Sequence, residues 1–350
     1  MNIKFTKLQG AGNDYMYLDA VNDLPFCVSD DADFYRELSV KISDRHFGAG
    51  SDGIIAILPP SAEGAVGGAD FRMRMFNADG SEGEMCGNGI RCFAKYIYDS
   101  RLTDKKIINI ETLAGIKTVE VFLAGAGGRV KEARVFMGIP SFETGKIPAN
   151  FDKPEIVMEK FSAGGKDFEI SCVSMGNPHC VIFVDDAASF DVHYYGRLIE
   201  NDKMFPNRIN VEFAQILDAD GGGGKGSAGG KAGGNADATA TGGNADATAN
   251  ATGGNADGKA SATGVGNPGV LVRTWERGSG ETLACGTGAC AVYSVMRKTG
   301  KIGLNPSASL DVNLYGGTLK ITGELSEGIY MTGPAEEVFT GYFNFAYKRL

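Results

Sequence analysis

The sequence predicts a mixed α/β fold of the α+β type, built twice over. Two pseudo-symmetric halves are expected, each a mostly antiparallel sheet wrapped around a central helix, with a site in the cleft between them. Three observations carry this. One block of residues occurs twice, each time around a cysteine. Strand-like stretches outnumber helix-like ones. Each copy of the block runs into one of the two clearest helical patterns in the chain.

Around Cys86 the chain reads MFNADGSEGEMCGNG, and around Cys285 it reads TWERGSGETLACGTG. With cysteine laid on cysteine, Asn77 falls on Glu276 and Glu82 on Glu281, while Gly87 and Gly89 fall on Gly286 and Gly288. The repeat extends upstream. Gly12-Asn13 precedes a strand-like stretch and Asp19, and Gly176-Asn177 precedes another and Asp185. A duplicated fold with one thiol per half points to two cysteines facing each other across one site.

In the first half, from Ile3 to about residue 125, strands are expected at 15–18, 54–58, 72–76 and 106–110. In the second they are expected at 129–137, 168–173, 180–184, 210–215 and 270–275. Helices are predicted over 89–99, where Ile90, Phe93, Ala94 and Ile97 recur at helical spacing, and over 288–298. Residues 219–267 stand apart. They hold three Gly-Gly-Asn-Ala-Asp copies and, apart from Val265, no hydrophobic residue larger than alanine. Such a stretch cannot bury enough apolar surface to offset its chain entropy, so a flexible surface insertion is expected. Calcium-binding nonapeptide repeats fit poorly: the copies at Gly233, Gly242 and Gly253 are unevenly spaced, and the large apolar core residue is missing.

The 350 residues leave room for two domains. A hydrophobic fraction of 43% with no 18-residue apolar run predicts no membrane span. The chain enters a strand pattern without a charged-then-apolar leader, so a cytoplasmic location is expected. A net charge of −9 with no basic stripe argues against nucleic acid. Seven cysteines over a long chain do not form a disulfide framework, and with three histidines and no CxxC spacing zinc is not expected. The GxGxxG match from Gly48 to Gly53 lacks the strand–turn–helix context of a dinucleotide site and is set aside.

A thiol at a helix N-terminus sits beside unpaired N–H groups at the positive end of the helix dipole, which favours thiolate and lowers the thiol pKa. The following glycines let a substrate approach the main chain. Gly87, Asn88, Gly286 and Thr287 would then offer N–H donors from two helix starts to one carboxylate. Removing the α-proton of an amino acid puts charge into that carboxylate, and donors aimed at it stabilise the transition state. One thiolate takes the proton and the opposite thiol returns another from the other face. This scheme requires no metal, redox partner or other cofactor, and no pyridoxal-phosphate signature is evident. The bland alternative, two cysteines buried as small hydrophobes, fits badly with matched blocks rich in Asn, Glu and Arg. It does suit Cys92 and Cys290 inside the helices, and Cys27, Cys172 and Cys180.

The stretches FNADGSE, MCGNGIRC, MGNPHC and ERGSGETLACGTG closely resemble the diaminopimelate epimerase family, as do GAGNDY and MTGPA. The resemblance covers essentially everything outside 219–267. It implies a pyridoxal-independent isomerase that interconverts LL- and meso-diaminopimelate for lysine and peptidoglycan synthesis, usually as a homodimer. It divides the chain into 1–125 with about 334–350, and 126–333. It implies that Cys86 and Cys285 are the catalytic pair and that Gly87, Asn88, Gly286 and Thr287 cradle the reacting carboxylate. Asn13, Asn77, Asn177, Asn210, Glu276 and Arg277 correspond to the substrate-binding set, and His179 and Glu276 to groups that tune the thiols. Chemically the set is sensible: Arg277 suits a carboxylate, Glu276 an ammonium, and asparagines either. Two departures stand out. Gly53 occupies a position where many members carry Gln, implying a lost contact. Phe339 lies near a C-terminal aromatic, often Tyr, at the family's dimer edge. A proline racemase or hydroxyproline epimerase of the same fold is the nearest alternative, although Cys-Gly-His is usual there and Cys86-Gly-Asn stands here. A non-catalytic thiol-redox protein is the alternative of another class.

Overall fold

The computed structural model describes residues 1–25, 28, 30–125, 128–217, 269–301 and 309–347. Cys27 and the stretch 219–267, expected to be a flexible insertion, lie outside them. The chain opens with β1 (Asn2–Gly10), β2 (Asn13–Asp19), α1 (Ala32–Ile42), β3 (Gly53–Leu58), α2 (Ala62–Val66), β4 (Phe71–Asn77), β5 (Glu82–Gly83), α3 (Gly87–Asp99), β6 (Ile107–Thr112), β7 (Gly115–Leu123) and β8 (Val130–Gly138). It continues through β9 (Glu159–Ala163), β10 (Lys166–Ser174), β11 (Pro178–Phe183), α4 (Val192–Glu200), β12 (Asn210–Leu217), β13 (Gly269–Glu276), β14 (Gly280–Thr282), α5 (Gly286–Thr299), β15 (Leu310–Leu314), β16 (Gly317–Glu324) and β17 (Gly328–Pro334). The last described strand, β18 (Glu336–Asn344), returns to pair with β1.

Two strand runs follow from the pairing. One is β18–β1–β2–β3–β4–β6–β7–β8. The other is β9–β10–β11–β12–β13–β15–β16–β17. They match strand for strand and in sense. β2–β3 and β11–β12 are parallel, as are β4–β6 and β13–β15, and the remaining pairs are antiparallel. The short β5 and β14 hang on β4 and β13 as matched hairpins. The runs meet where β8 pairs with β17, Val135 opposite Met331. The duplication seen in the cysteine blocks therefore governs the whole sheet.

Burial explains the order. β3 reads GIIAIL and is buried throughout. Its side chains alternate in direction: Ile55 and Ile57 join a central core with α3 and α5, while Ile54, Ala56 and Leu58 join an outer core with Phe34, Tyr35 and Leu38 of α1. β12 does the same, sending Ala214 inward and Val211 and Phe213 outward to α4. The covering helices α1 and α4 begin at Asp31 and Asp191, whose carboxylates cap the first turn. No helix among the described residues is long and apolar enough to cross a membrane.

Between the halves lies Met331, fully buried. A Cβ at Gly87 would come within 2.8 Å of its Cε, and one at Gly286 within 3.0 Å of its Sδ. Beside it Arg91, also fully buried, donates to the Gly87 carbonyl at 3.1 Å and the Pro334 carbonyl at 3.3 Å. Truncating such a wedge leaves a cavity beneath both helix starts. Met331→Ala is expected to cost about 2–5 kcal/mol in urea unfolding; a loss below about 1 kcal/mol would mean that this side chain does not brace the seam.

Candidate active site

Each thiol is delivered by a hairpin held by an ion pair. Arg74 of β4 grips Glu82 with two bonds, 2.7 and 3.0 Å, and Arg273 of β13 grips Glu281 at 2.7 Å. The matched glutamates are thus hairpin clasps. The chain then turns into a helix whose N-cap is the cysteine itself. Cys86 (φ −123°, ψ 120°) receives the Gly89 N–H at 3.4 Å, and Cys285 (φ −114°, ψ 112°) receives the Gly288 N–H at 3.3 Å. Both helices start two residues earlier than the apolar periodicity suggested, so Gly87 and Asn88, and Gly286 and Thr287, lie in the first turn.

The two helix starts lie side by side. Asn88 reaches across to the Ala284 carbonyl at 3.4 Å, and its Oδ1 is buried without a hydrogen-bond partner. The glycines allow this approach. Their missing Cβ atoms face Met331, so their first service is to let the halves pack closely; the sequence had suggested only close approach of a substrate.

Different groups flank the two thiols. The Cys86 thiol donates to Asn13 Oδ1 at 3.1 Å; Asn13 in turn donates to Asp52 at 2.7 Å, and Asp52 pairs with Arg45 at 3.0 Å. Cys285 contacts the Thr287 hydroxyl at 3.4 Å, and Asn177 donates to that hydroxyl at 3.2 Å. His179 Nε2 meets Asn177 Oδ1 at 3.0 Å, while its Nδ1 meets Glu212 Oε1 at 2.7 Å. His179 and Glu212 are fully buried, and Glu212 Oε2 has no hydrogen-bond partner. Glu212 was missed from sequence, although a carboxylate between Val211 and Phe213 in an apolar strand was a visible signal.

Glu276 sits where it acts on both thiols. It accepts from Thr282 at 2.6 Å, and burial pushes its carboxyl upward. Both thiols lie above the ordinary 9.0, Cys285 well above it. Burial is the main cause for each, and the Glu276 carboxylate adds to it. The N–H groups of Asn88 and Gly89 pull Cys86 down, as the sequence anticipated, but desolvation outweighs them. The expected lowering of the thiol pKa by the helix start is corrected accordingly.

Arg277, the next residue, is exposed and has no carboxylate partner among the described residues. Asn210 holds it: its Oδ1 accepts the Arg277 N–H at 2.9 Å and its Nδ2 donates to the Pro178 carbonyl at 3.2 Å. Asn77 is half-buried and donates to Ser81 at 2.9 Å. The register gives Asn210 a counterpart. Asn210 pairs with His179 as Gly53 pairs with Tyr15. A Cβ at Gly53 would fall 2.1 Å from the Phe76 carbonyl oxygen, so β3 runs too close to β4 there for any side chain. The glycine is a requirement of this backbone.

The family model for diaminopimelate epimerase matches residues 5–142, 171–227 and 235–338. This chain belongs to the diaminopimelate epimerase family. The diaminopimelate epimerase of Methanococcus maripaludis is 39% identical over 340 residues, covering 97% of this chain and 99% of that relative. That of Agathobacter rectalis is 41% identical over 347 residues, covering 97% and 98%. In fold, the chain is similar to a probable proline racemase from Agrobacterium radiobacter (TM-score 0.59, 13% identity, 98% and 93% covered). It is also similar to a phenazine biosynthesis protein from Bacillus anthracis (TM-score 0.57, 16% identity, 99% and 100% covered). At such identity these two speak for the fold alone.

The raised thiols have a direct consequence. A thiol whose pKa lies above 9.0 stays protonated through neutral pH and becomes thiolate only as pH rises past that value. Alkylation of the ligand-free protein by iodoacetamide should keep accelerating above pH 9, with Cys86 ahead of the more deeply buried Cys285. A rate plateau below pH 8, read by peptide mass spectrometry, would contradict this.

Proposed function

We propose that this chain interconverts LL- and meso-2,6-diaminopimelate by two-thiol proton transfer, without pyridoxal phosphate. The observation that carries the reading is the pair of cysteines capping two helices that converge from opposite halves. In one direction the Cys86 thiolate takes the α-proton and the C–H electron pair stays on the substrate as a carbanion stabilised by its carboxylate. The Cys285 thiol then gives its proton to the opposite face and is left as thiolate. The reverse reaction exchanges the roles. The raised thiol pKa values support this, because a thiolate with a high-pKa conjugate acid is the stronger base.

The first-turn N–H groups of Gly87, Asn88, Gly286 and Thr287 suit the reacting carboxylate, where charge develops. Asn13, Asn77, Asn177 and Asn210, with Glu276 and Arg277, suit the ammonium groups and the second carboxylate. An exposed guanidinium with no carboxylate partner among the described residues, beside a half-buried carboxylate, matches a zwitterionic amino-acid end. His179, on Glu212, and Glu276 would tune the thiols. We read the division as 1–125 with about 334–350, and 126–333. The product serves lysine and peptidoglycan precursor synthesis in the cytoplasm. A homodimer is the assembly we favour, supported by exposed Val338, Phe339 and Tyr342 on β18.

In D2O, LL-diaminopimelate should acquire α-deuterium with inversion, and proline should remain unchanged. No exchange under reducing conditions would sink the reading. Cys86→Ala and Cys285→Ala should each lower kcat by about 10³-fold or more, and normal epimerisation by either variant would refute the two-thiol scheme.

A further inference from the structure

The turn that carries Glu276 and Arg277 is held from behind by one buried carboxylate. Glu200, at the end of α4, is 5% exposed. Its Oε2 accepts from the Trp275 indole N–H at 2.7 Å. Its Oε1 accepts from the Gly278 main-chain N–H at 2.8 Å and from Arg208 at 3.3 Å. These two anchor points, 275 and 278, bracket Glu276 and Arg277. Trp275 can lie flat on α4 because Gly196 has no side chain; a Cβ there would come 2.6 Å from the indole Cγ.

The other half shows what this position ordinarily does. Phe76 matches Trp275 in the repeat and stacks on Tyr35 of α1, while Trp275 packs closely on Gly196 of α4. One turn further along α1, Ser39 donates to the carbonyls of Phe76 at 3.0 Å and Asn77 at 2.7 Å. Glu200 occupies the corresponding site on α4. A neutral hydroxyl thus holds the neutral turn of Asn77, and a buried carboxylate holds the charged turn of Glu276 and Arg277.

We propose that Glu200 is a positioning residue for substrate selection: by pinning residues 275 and 278 it presents Glu276 and Arg277 to the amino-acid end of the substrate that does not react. The proposal rests on the substrate reading above. The chemistry requires an acceptor at both oxygens, since two N–H groups and a guanidinium converge there. A glutamine would turn its own NH2 group against one of them and leave a buried donor unpaired.

Glu200→Gln and Trp275→Phe test this, each checked for folding by circular dichroism. Trp275 is the only tryptophan in the chain, so its emission reads the indole–carboxylate bond directly. The expected result for Glu200→Gln is a shifted emission without substrate, a KM for LL-diaminopimelate raised roughly tenfold, and kcat changed by less than KM. Trp275→Phe, which keeps the Gly278 anchor, should raise KM by less. A folded Glu200→Gln protein with wild-type KM, or with kcat lost and KM unchanged, overturns the proposal. If that variant does not fold, a folded Trp275→Phe protein with wild-type KM overturns it instead. Absence of turnover by the wild-type protein would sink the functional reading; the Trp275 emission shift would then still show whether Glu200 anchors the turn.

Discussion

The close approach of two helix starts over one methionine is the constraint from which the rest of the molecule follows. α3 and α5 belong to different halves, yet their first turns share Met331 as a floor. Gly87 and Gly286, which carry no side chain, leave room for that contact. A methyl group at either would press on the sulfur or terminal carbon of Met331, which would have to shift within a closely packed interior. The seam explains why the thiols, which cap these same turns, are held by main chain on both sides. It also explains the buried guanidinium of Arg91, which ties the Gly87 carbonyl to the Pro334 carbonyl at the end of β17.

The thiols on this seam are largely withdrawn from solvent, and that withdrawal sets their chemistry. Two helix N-termini alone would favour thiolate. Burial works the other way and is the larger effect here. The two influences meet different steps of a reaction. In the proposed reaction the fixed N–H groups would meet charge that develops on a substrate carboxylate, whereas desolvation keeps a resting thiol protonated and makes its thiolate a stronger base once formed. A wet site would weaken both effects.

The parts legible in the sequence were those that repeat. Matching Cys86 with Cys285 gave the two central helices, the hairpins before them and the halves, because each depends on a local pattern present twice. Gly12-Asn13 and Gly176-Asn177 were legible for the same reason. What remained hidden depends on partners distant in the chain. α1 and α4 were not foreseen; they are short, and their helical character comes from covering β3 and β12. The helix starts were placed two residues late because Gly87-Asn88 and Gly286-Thr287 carry no apolar periodicity, and only the cap geometry defines them. Gly53 reads locally as a lost side-chain contact, and no local signal reveals that the Phe76 carbonyl fills the space. Glu212 was overlooked because its meaning lies in His179, thirty-three residues away and adjacent only once β11 and β12 pair.

At four matched places around the site the second half carries the ionisable group, whereas at Arg91 against Cys290 the first half does. Register places Tyr15 against His179, and Ile55 against Glu212. The same two residues confirm the match: Ile55 lies against Gly89 as Glu212 lies against Gly288. The repeat sets Asn77 against Glu276, and contact with the matched turns sets Ser39 against Glu200. Each substitution exchanges a neutral group for an ionisable one in an otherwise equivalent place. Buried carboxylates are costly unless paired, and these have acquired partners to match: His179 for Glu212, and Trp275, Gly278 and Arg208 for Glu200. Such clustering is what a substrate with a symmetric demand and an asymmetric one would require. Inversion at a carbon asks the same of both faces, which the duplicated cap supplies. Distinguishing the reacting end of a molecule from its far end asks for a difference, and a difference between halves that share a backbone can come only from side chains.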